Sequence, residues 1–373
     1  MTDTLLSPLP LGRTTLQHRI VLAPLTRMRA NPAGNIPGPL NAEYYAQRAT
    51  PGGLLIAEAT PVSWQGHGHP HVPGIHTKAQ IAGWKTVTDA VHSKGGVIYL
   101  QLWHTGRVSH SSHQPDRAQP VAPSAIRAAG KTIDAAFQPV DYETPRALTL
   151  AEIPGLIDTY RQAAANAIAA GFDGVEIHGA NGYLLEHFLY SSTNTRTDAY
   201  GGSIENRSRL HLEVTDAVVA EIGADRTGIR LSPWGIANDS FDADPLPLFS
   251  HLIRELAKRA LVYLHLIEPR ASGTGKADIV RENQPSAAEI FRPLWPGVLI
   301  DAGGFTRDSA IEAVAAGHAD AIAFGRHFIS NPDLVARIRH NAPFAPYHRA
   351  TFYGGDAAGY TDYPALADAP AEV

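Results

Sequence analysis

Residues 172–209 read FDGVEIHGANGYLLEHFLYSSTNTRTDAYGGSIENRSR, and they combine a strand, a turn and a helix start. Residues 172–177 form an apolar run that ends in a glycine-rich turn. The turn carries three polar side chains, His178, Asn181 and Tyr183. A helix is predicted to start near Ser203, since serine is a preferred helix N-cap. This order is typical of an enzyme that mounts side chains at the end of a buried parallel strand.

Outward from this stretch, similar strands recur along the chain. Eight short apolar runs occupy residues 19–25, 53–59, 96–103, 172–178, 227–231, 261–267, 298–302 and 320–324. Each run is continuous, as expected of parallel strands buried on both faces. Helical patterns separate them at residues 40–49, 79–94, 150–171, 203–223, 245–260, 306–317 and 331–339. Eight strand–helix alternations predict a closed (β/α)8 TIM barrel, which is an α/β fold.

The barrel is expected to form one domain over residues 1–363. Residues 1–18 precede the first strand, and we expect them to cap the bottom of the barrel. Residues 104–148 form an excursion after the third strand, and a loop of this length is more often a lid or binding loop than an idle linker. Residues 364–373 lack periodicity and are expected to be a disordered tail.

Composition limits the functional classes. The net charge is −5 and the pI is near 6.4, which argues against nucleic acid or an anionic membrane as the main partner. The absence of cysteine excludes disulfides, iron–sulfur clusters and a cysteine nucleophile. We see no signal peptide and no apolar run of the ~18 residues that a membrane span needs, so a cytoplasmic protein is expected.

The active site of such a barrel gathers at the C-terminal ends of the strands. The candidates there are Pro24, Thr26, Glu58, Ala59, Gln101, Trp103, His104, His178, Asn181, Tyr183, Arg230, Asp301, Gly303, Gly304, Gly325 and Arg326. Glycines after strand seven and a Gly-Arg pair after strand eight predict a phosphate site, because glycine lets backbone N–H groups approach the oxygens. The chain has no G-x-G-x-x-G after a strand, so FMN or a phosphorylated substrate is favoured over a Rossmann dinucleotide site.

Several motifs resemble the Old Yellow Enzyme family of flavin-dependent ene-reductases, which includes N-ethylmaleimide reductase-like and NADH:flavin oxidoreductases. They are APLTRMRA (23–30), EAT (58–60), QLWHTGR (101–107), the block 178–209, DAGGF (301–305), FGRHFISNPDL (324–334) and YGGDAAGYTDYP (353–364). The resemblance implies an FMN-dependent, NAD(P)H-consuming enzyme, an NADPH dehydrogenase. Its implied reaction is the ping-pong reduction of the C=C bond of α,β-unsaturated carbonyl or nitro compounds through flavin N5.

The resemblance also implies roles at the cofactor. It assigns non-covalent FMN binding to Pro24, Thr26, Ala59, Gln101, Arg230, Gly303, Gly304, Gly325 and Arg326. Arg230 would lie by N1 and the C2 carbonyl, where a fixed cation stabilises the reduced, anionic flavin. The alternative for Arg230 is a salt bridge inside the barrel.

The catalytic residues implied are His178, Asn181 and Tyr183. His178 and Asn181 lie three residues apart, and both can donate a hydrogen bond to one substrate oxygen, which lowers the barrier when charge develops there. Tyr183, with an ordinary pKa of about 10, is protonated at neutral pH and could protonate the α-carbon. On sequence alone, the histidine could equally be structural and the tyrosine a packed aromatic residue.

The resemblance places Trp103, Tyr353 and His69 beside the substrate, together with His178, Asn181 and Tyr183. His69 belongs to a His-rich loop, residues 67–76, which we interpret as a polar surface loop rather than a metal site. Asn is a poor zinc ligand, and no third partner for His178 is obvious.

Two other functions remain open. A barrel aldolase or isomerase would need a lysine or a carboxylate base at a strand end, and only Glu58 and Asp301 keep that alternative open. A flavin-binding interaction protein would bind FMN that neither nicotinamide reduces. The sequence leaves the physiological alkene, the choice between NADPH and NADH, and the oligomeric state (monomer or small homo-oligomer) undetermined.

Overall fold

The computed structural model describes residues 2–270 and 286–366, and its centre is a closed parallel barrel. Its strands are β1 (Ile20–Leu22), β2 (Leu54–Pro61), β3 (Val97–Trp103), β4 (Gly174–Gly179), β5 (Thr227–Leu231), β6 (Tyr263–Ile267), β7 (Leu299–Ala302) and β8 (Ala321–Phe324). Every residue of β2 and β3 is buried, as the continuous apolar runs predicted. Each predicted run coincides with one strand, so the predicted TIM barrel is confirmed.

The strands follow chain order around the barrel, and β8 pairs with β1 to close it. Their register places polar residues of neighbouring strands opposite one another. Glu176 on β4 lies opposite Gln101 on β3. His178 on β4 lies opposite Arg230 on β5, which in turn lies opposite His265 on β6. Four neighbouring strands therefore present polar side chains close to one another.

Helices surround the barrel in the described part of the chain. They are α1 (Thr2–Leu5), α2 (Pro39–Arg48), α3 (Lys78–His92), α4 (Ile153–Ala169), α5 (Leu184–Leu189), α6 (Ile204–Ile222), α7 (Pro245–Ala257), α8 (Ala287–Phe291), α9 (Arg307–Ala315), α10 (Arg326–Ser330) and α11 (Leu334–Arg339). The predicted cap of α6 is confirmed, because Ser203 Oγ accepts the N–H of Asn206 at 3.3 Å. The pattern at 150–171 starts as a 3-10 turn, Leu150–Glu152, before α4 begins.

A short hairpin closes the bottom of the barrel. Leu9–Leu11 pairs with Thr14–Leu16, and Leu11 and Leu16 are fully buried. They belong to the same apolar cluster as Val97, at the start of β3. The predicted N-terminal cap is therefore present.

The excursion between β3 and α4 forms two small sheets. Val121–Ala122 pairs with Arg146–Ala147, and Lys131–Ile133 pairs with Pro139–Asp141. The second pair is a hairpin that lies over the C-terminal end of the barrel, because Lys131, Thr132, Ile133 and Pro139 line the cavity there.

Within residues 2–270 and 286–366, no helix is both long and apolar enough to cross a membrane. Of the tail predicted to be disordered, residues 367–373 lie outside the described residues. That prediction, and the single-domain boundary at residue 363, stay predictions.

Candidate active site

A cavity of about 450 Å³ lies at the C-terminal ends of the strands. Among the predicted site residues, it is lined by Pro24, Thr26, Ala59, His69, Gln101, Trp103, His178, Asn181, Tyr183, Arg230, Arg326 and Tyr353. The glycines predicted to bind phosphate, Gly303, Gly304 and Gly325, are outside this lining. Other residues that line the cavity were not predicted from the sequence; they are Leu25, Met28, Lys131, Thr132, Ile133, Pro139, Tyr142, Asn238, Ile329 and Phe352. The volume falls within the range of pockets that hold a cofactor or drug-sized ligand.

The turn after β4 reverses the chain through two left-handed residues. Asn181 and Gly182 have φ values of 60° and 67°. The Asn181 N–H donates to Ser232 Oγ at 2.8 Å. Glycine is required at position 182, since a Cβ there would lie 2.1 Å from the carbonyl oxygen of Ala237. This close contact fixes the turn after β4 against the loop that follows β5.

Glu186, in helix α5, holds the same turn. Its carboxylate accepts hydrogen bonds from the Gly182 N–H at 2.5 Å, Ser232 Oγ at 2.6 Å and Tyr190 OH at 2.8 Å. Burial raises the pKa of Glu186 to about 7, even though these hydrogen bonds act in the opposite direction. Sequence reasoning missed Glu186. The available signal was a carboxylate in the first turn of an otherwise buried helix beside the glycine-rich turn.

His178 and Tyr183 lie against one another, with ring centroids 5.3 Å apart, and Tyr183 meets Trp103 edge-on at 4.8 Å. Burial, and then the charge of Arg230, hold the pKa of His178 well below its ordinary value. His178 is therefore a neutral imidazole at pH 7 and can donate from one ring nitrogen.

Tyr183 is partly buried. Burial, followed by the neighbouring phenols of Tyr142 and Tyr353, raises the pKa of Tyr183 above its ordinary value. Its hydroxyl therefore keeps its proton at neutral pH and can act as a proton donor.

Strand β5 places a buried cation at the cavity. Arg230 is 8% exposed, and in the described part of the chain its Nε has no hydrogen-bond partner and its guanidinium forms no ion pair within 4 Å. The alternative that Arg230 closes a salt bridge is therefore not supported by these residues. Because a buried charge without a partner is costly, the arrangement fits a site that receives an anionic or electron-rich group.

Glu176 supports this part of the site. It is fully buried and accepts hydrogen bonds from Gln101 Nε2 at 2.6 Å and His265 Nδ1 at 2.8 Å. Burial opposes its ionisation, but His265 and Arg230 outweigh burial, and the pKa of Glu176 is lowered. Burial, and then Arg230, lower the pKa of His265 to about 4, so His265 is neutral. Since Glu176 takes the amide nitrogen of Gln101, the amide oxygen is left as an acceptor for the cavity.

The predicted phosphate site lies where β7 and β8 end side by side. A Cβ at Gly304 would meet nothing within 4 Å, and one at Gly325 would lie 3.4 Å from Leu25, a cavity residue. Gly304 therefore borders open space, and Gly325 adjoins a residue of the cavity lining. Arg326 begins α10, lines the cavity, and has its guanidinium carbon 5.6 Å from the ring centroid of Tyr347. The phosphate role of these residues stays a prediction.

Residues 349–361 form one wall of the cavity through Phe352 and Tyr353. Arg27 is fully buried and donates to three carbonyl oxygens of this segment, at 2.7, 2.9 and 3.4 Å. Arg29 donates to four carbonyl oxygens of the segment, at 2.8, 2.9, 3.0 and 3.3 Å. Arg27 and Arg29, which follow β1, thus fix the position of a cavity wall formed by a segment far away in the sequence.

The His-rich loop contributes one ring to the cavity. His69 stacks on Trp103 with centroids 5.7 Å apart. His67 and His76 instead hydrogen-bond one another through their Nε2 atoms, 3.1 Å apart. In the residues that the structure describes, no group of three or more histidine, aspartate or glutamate side chains could hold a metal ion.

Comparisons with known proteins agree with this geometry. The NADH:flavin oxidoreductase / NADH oxidase family matches residues 4–344. The chain is 50% identical to 12-oxophytodienoate reductase 1 of Oryza sativa subsp. japonica, over 97% of this chain and 93% of that protein. It is 47% identical to 12-oxophytodienoate reductase 2 of Arabidopsis thaliana, over 97% and 96%.

Two solved structures are similar over nearly their whole length. Morphinone reductase in complex with tetrahydroNAD is 46% identical, with a TM-score of 0.91 and 99% of each chain covered. An old yellow enzyme homologue from Zymomonas mobilis is 42% identical, with a TM-score of 0.91 and coverage of 97% of this chain and 99% of that chain.

Proposed function

The chain belongs to the NADH:flavin oxidoreductase / NADH oxidase family, that of Old Yellow Enzyme, and we propose that it reduces the C=C bond of α,β-unsaturated carbonyl or nitro compounds. The family makes it an FMN-dependent oxidoreductase of the ene-reductase type that takes electrons from a nicotinamide. The observation that carries the finer proposal is the single turn that brings His178, Asn181 and Tyr183 to one cavity beside Arg230.

The residues present fit FMN. The buried cation of Arg230, which forms no ion pair with a described residue, suits the electron-rich N1 and C2 carbonyl of a flavin. The amide oxygen of Gln101 is an acceptor and suits the N3–H of the same pyrimidine edge. Arg326, Gly304, which borders open space, and Gly325, which adjoins the cavity residue Leu25, suit its phosphate. When bound there, FMN supplies hydride transfer between a nicotinamide and the alkene.

The chain's own residues then activate the alkene. The neutral His178 and the amide of Asn181 hold the carbonyl or nitro oxygen of the substrate, and their donors stabilise the negative charge that develops on it. Tyr183 gives its hydroxyl proton to the α-carbon. A positioned proton donor of this kind contributes about 10²–10⁴-fold to the rate.

Both substrates are proposed to use this one cavity in turn, which gives ping-pong kinetics. The names of the relatives specify an oxo-substituted dienoate as their substrate, and that chemistry falls within the proposed class. We propose NADPH as the reductant. NADH is tested beside it because the similar morphinone reductase binds tetrahydroNAD in its solved structure. A cytoplasmic location and a monomeric or small homo-oligomeric state are further proposals, tested by cell fractionation and light scattering.

The experiment is an anaerobic visible spectrum of the purified protein. Flavin absorbance that bleaches on NADPH or NADH and returns with cyclohexenone is the expected result. Tyr183→Phe should still bleach with the nicotinamide and should reoxidise slowly with the enone. Bound FMN that neither nicotinamide reduces would refute the proposal and indicate a flavin-binding protein. Failure to take up FMN would refute the cofactor.

A further inference from the structure

We propose that Glu176 is a positioning residue for the flavin, which turns the amide oxygen of Gln101 towards the pyrimidine edge and lowers the reduction potential of the bound FMN through its buried negative charge. This inference rests on the FMN site of the proposed function, and it does not depend on which alkene the enzyme reduces. Gln101 and Arg230 line the cavity, whereas Glu176 and His265 are outside that lining. Glu176 therefore acts on the flavin through Gln101 and through its charge.

Glu176 fixes the orientation of the Gln101 amide. The two residues are direct partners on β3 and β4, and Gln101 Nε2 lies 2.6 Å from Glu176 Oε1. The lowered pKa of Glu176 keeps it ionised at pH 7, and an ionised carboxylate can only accept, so the nitrogen of the amide must face it. Both side chains are at most 1% exposed, so bulk water cannot replace this partner. The amide oxygen is thereby turned towards the cavity, where it can accept the N3–H of a flavin.

His265 binds the second oxygen of the same carboxylate. Its Nδ1 lies 2.8 Å from Glu176 Oε2, and its pKa of about 4 leaves the ring neutral at pH 7. Because the carboxylate only accepts, Nδ1 carries the ring proton and donates it. One oxygen of Glu176 is thus bound by a residue of β3 and the other by a residue of β6. A rotation of the carboxylate would break both hydrogen bonds, so its position is fixed.

The fixed position keeps the carboxylate of Glu176 away from Arg230. Arg230 lies on β5, opposite His178 of β4 and His265 of β6. Among the residues that the structure describes, Arg230 forms no ion pair within 4 Å, although an ionised carboxylate is held inside the same barrel on the neighbouring strand. The cation is therefore left for the cavity that it lines, and the anion stays behind Gln101.

These two charges act in opposite directions on the reduction potential. Reduced flavin carries more negative charge at N1 and the C2 carbonyl than oxidised flavin does. Arg230 stabilises this charge and the ionised Glu176 opposes it, and the low dielectric of the interior strengthens both effects. We therefore expect reduced FMN to bind less tightly, relative to oxidised FMN, than it would without Glu176. The lower potential makes the reduced cofactor a stronger hydride donor towards an alkene.

The first test measures the midpoint potential of FMN bound to the full-length protein, by anaerobic dye equilibration at pH 7. Glu176→Gln keeps the size of the side chain and removes its charge. Its midpoint potential should rise by about 30 mV or more, which corresponds to a gain of about tenfold or more in the affinity for reduced over oxidised FMN. Glu312→Gln removes one negative charge from the exposed face of α9 and should leave the potential unchanged. A merely loosened site would weaken the binding of both redox forms alike, so a potential that stays the same or falls in Glu176→Gln would overturn the inference.

The second test asks whether Glu176 acts on FMN affinity through Gln101. Glu176→Leu removes the acceptor of the Gln101 nitrogen, so the amide can turn. Oxidised FMN should then bind about tenfold more weakly in a fluorescence titration, the size expected from one hydrogen bond. In the Gln101→Ala background, the same substitution should weaken FMN binding less than about twofold, because the amide it orients is gone.

The outcomes separate this inference from the proposed function. An equal loss of affinity in both backgrounds would overturn the inference, since Glu176 would then act without Gln101. If Glu176→Leu does not fold, the potential of Glu176→Gln still decides. A wild-type protein that binds no FMN would instead overturn the cofactor of the proposed function.

Discussion

The buried carboxyl of Glu186 predicts a stability change that depends on pH. Its folded-state pKa of about 7 lies above the ordinary value of 4.5, chiefly because burial disfavours the charge. Between these two pH values the folded protein holds a proton on Glu186 that the unfolded chain has released. Wild-type stability should therefore fall as pH rises from 4.5 to 7, and this contribution should level off above 7.

Replacing Glu186 with glutamine removes the titration and keeps the size of the side chain. Each unit of pKa difference between the folded and unfolded states corresponds to about 1.4 kcal/mol, so the ionised carboxylate destabilises the folded state by roughly 3 kcal/mol at pH 8. Glutamine stays neutral and can still accept from the Gly182 N–H. The stability of Glu186→Gln relative to wild type should thus rise by roughly 3 kcal/mol between pH 4.5 and pH 8, whatever its starting value at low pH.

The assay is urea unfolding at pH 4.5, 6, 7 and 8 with saturating FMN, followed by tryptophan fluorescence. Slopes against urea should match between the proteins, so that midpoints report the free energy of unfolding. Glu312→Gln, on the exposed face of α9, controls for the removal of one negative charge. If the free energies of unfolding of Glu186→Gln and wild type differ by the same amount at every pH from 4.5 to 8, the reasoning is refuted. Glu186 would then not be buried without a full charge partner.

Four other substitutions have expected outcomes. Gly182→Ala should destabilise the protein by more than the ~1–2 kcal/mol of a left-handed alanine, because its Cβ would meet the Ala237 carbonyl at 2.1 Å. Gly202 is also left-handed but has open space around it, so Gly202→Ala should cost only the ~1–2 kcal/mol of a left-handed alanine. Thermal melts of both variants measure the difference. Arg107→Met should cost about 1–3 kcal/mol in urea, since it removes the donor from partly buried carbonyl oxygens of the loop that follows β5, and a loss below 1 kcal/mol would contradict its role in holding that loop. Arg230→Met should raise the melting temperature of the FMN-free protein, because it removes a buried charge that forms no ion pair with a described residue. The same substitution should weaken FMN binding measured by fluorescence titration, and a lower melting temperature would show that the cation is structurally paired.

The barrel could be predicted from the sequence because its signal is local. The run at 227–231 is apolar, is bounded by polar residues and became β5 with the same limits. His178, Asn181 and Tyr183 could be predicted as neighbours for the same reason, since one turn carries all three. The place of Arg230 at the site could be predicted because the C-terminal ends of the strands meet at one edge of the barrel.

The supporting residues could not be predicted, because contacts between distant segments define them. Asn238 reaches Asn181 across 57 positions, and His265 reaches Glu176 across 89. Nothing near Asn238 in the sequence indicates which strand end its loop will face. The glycines after β7 and β8 were placed correctly at the strand ends. How far these glycines lie from the cavity lining depends on the positions of side chains such as Leu25. The order of the strands alone does not predict those positions.

The wall held by Arg27 and Arg29 also has a consequence for how the protein is made. During synthesis β8 emerges well before Phe352 and Tyr353, by about 1.5–6 s for the roughly 30 intervening residues at ~5–20 residues per second. A nascent chain can therefore align all of its barrel strands while the cavity still lacks one side. Until the wall arrives, the donors on Arg27 and Arg29 that bind its carbonyl oxygens have only water there. Binding of a cofactor or substrate in a complete cavity is thus delayed until after the barrel strands have been synthesised.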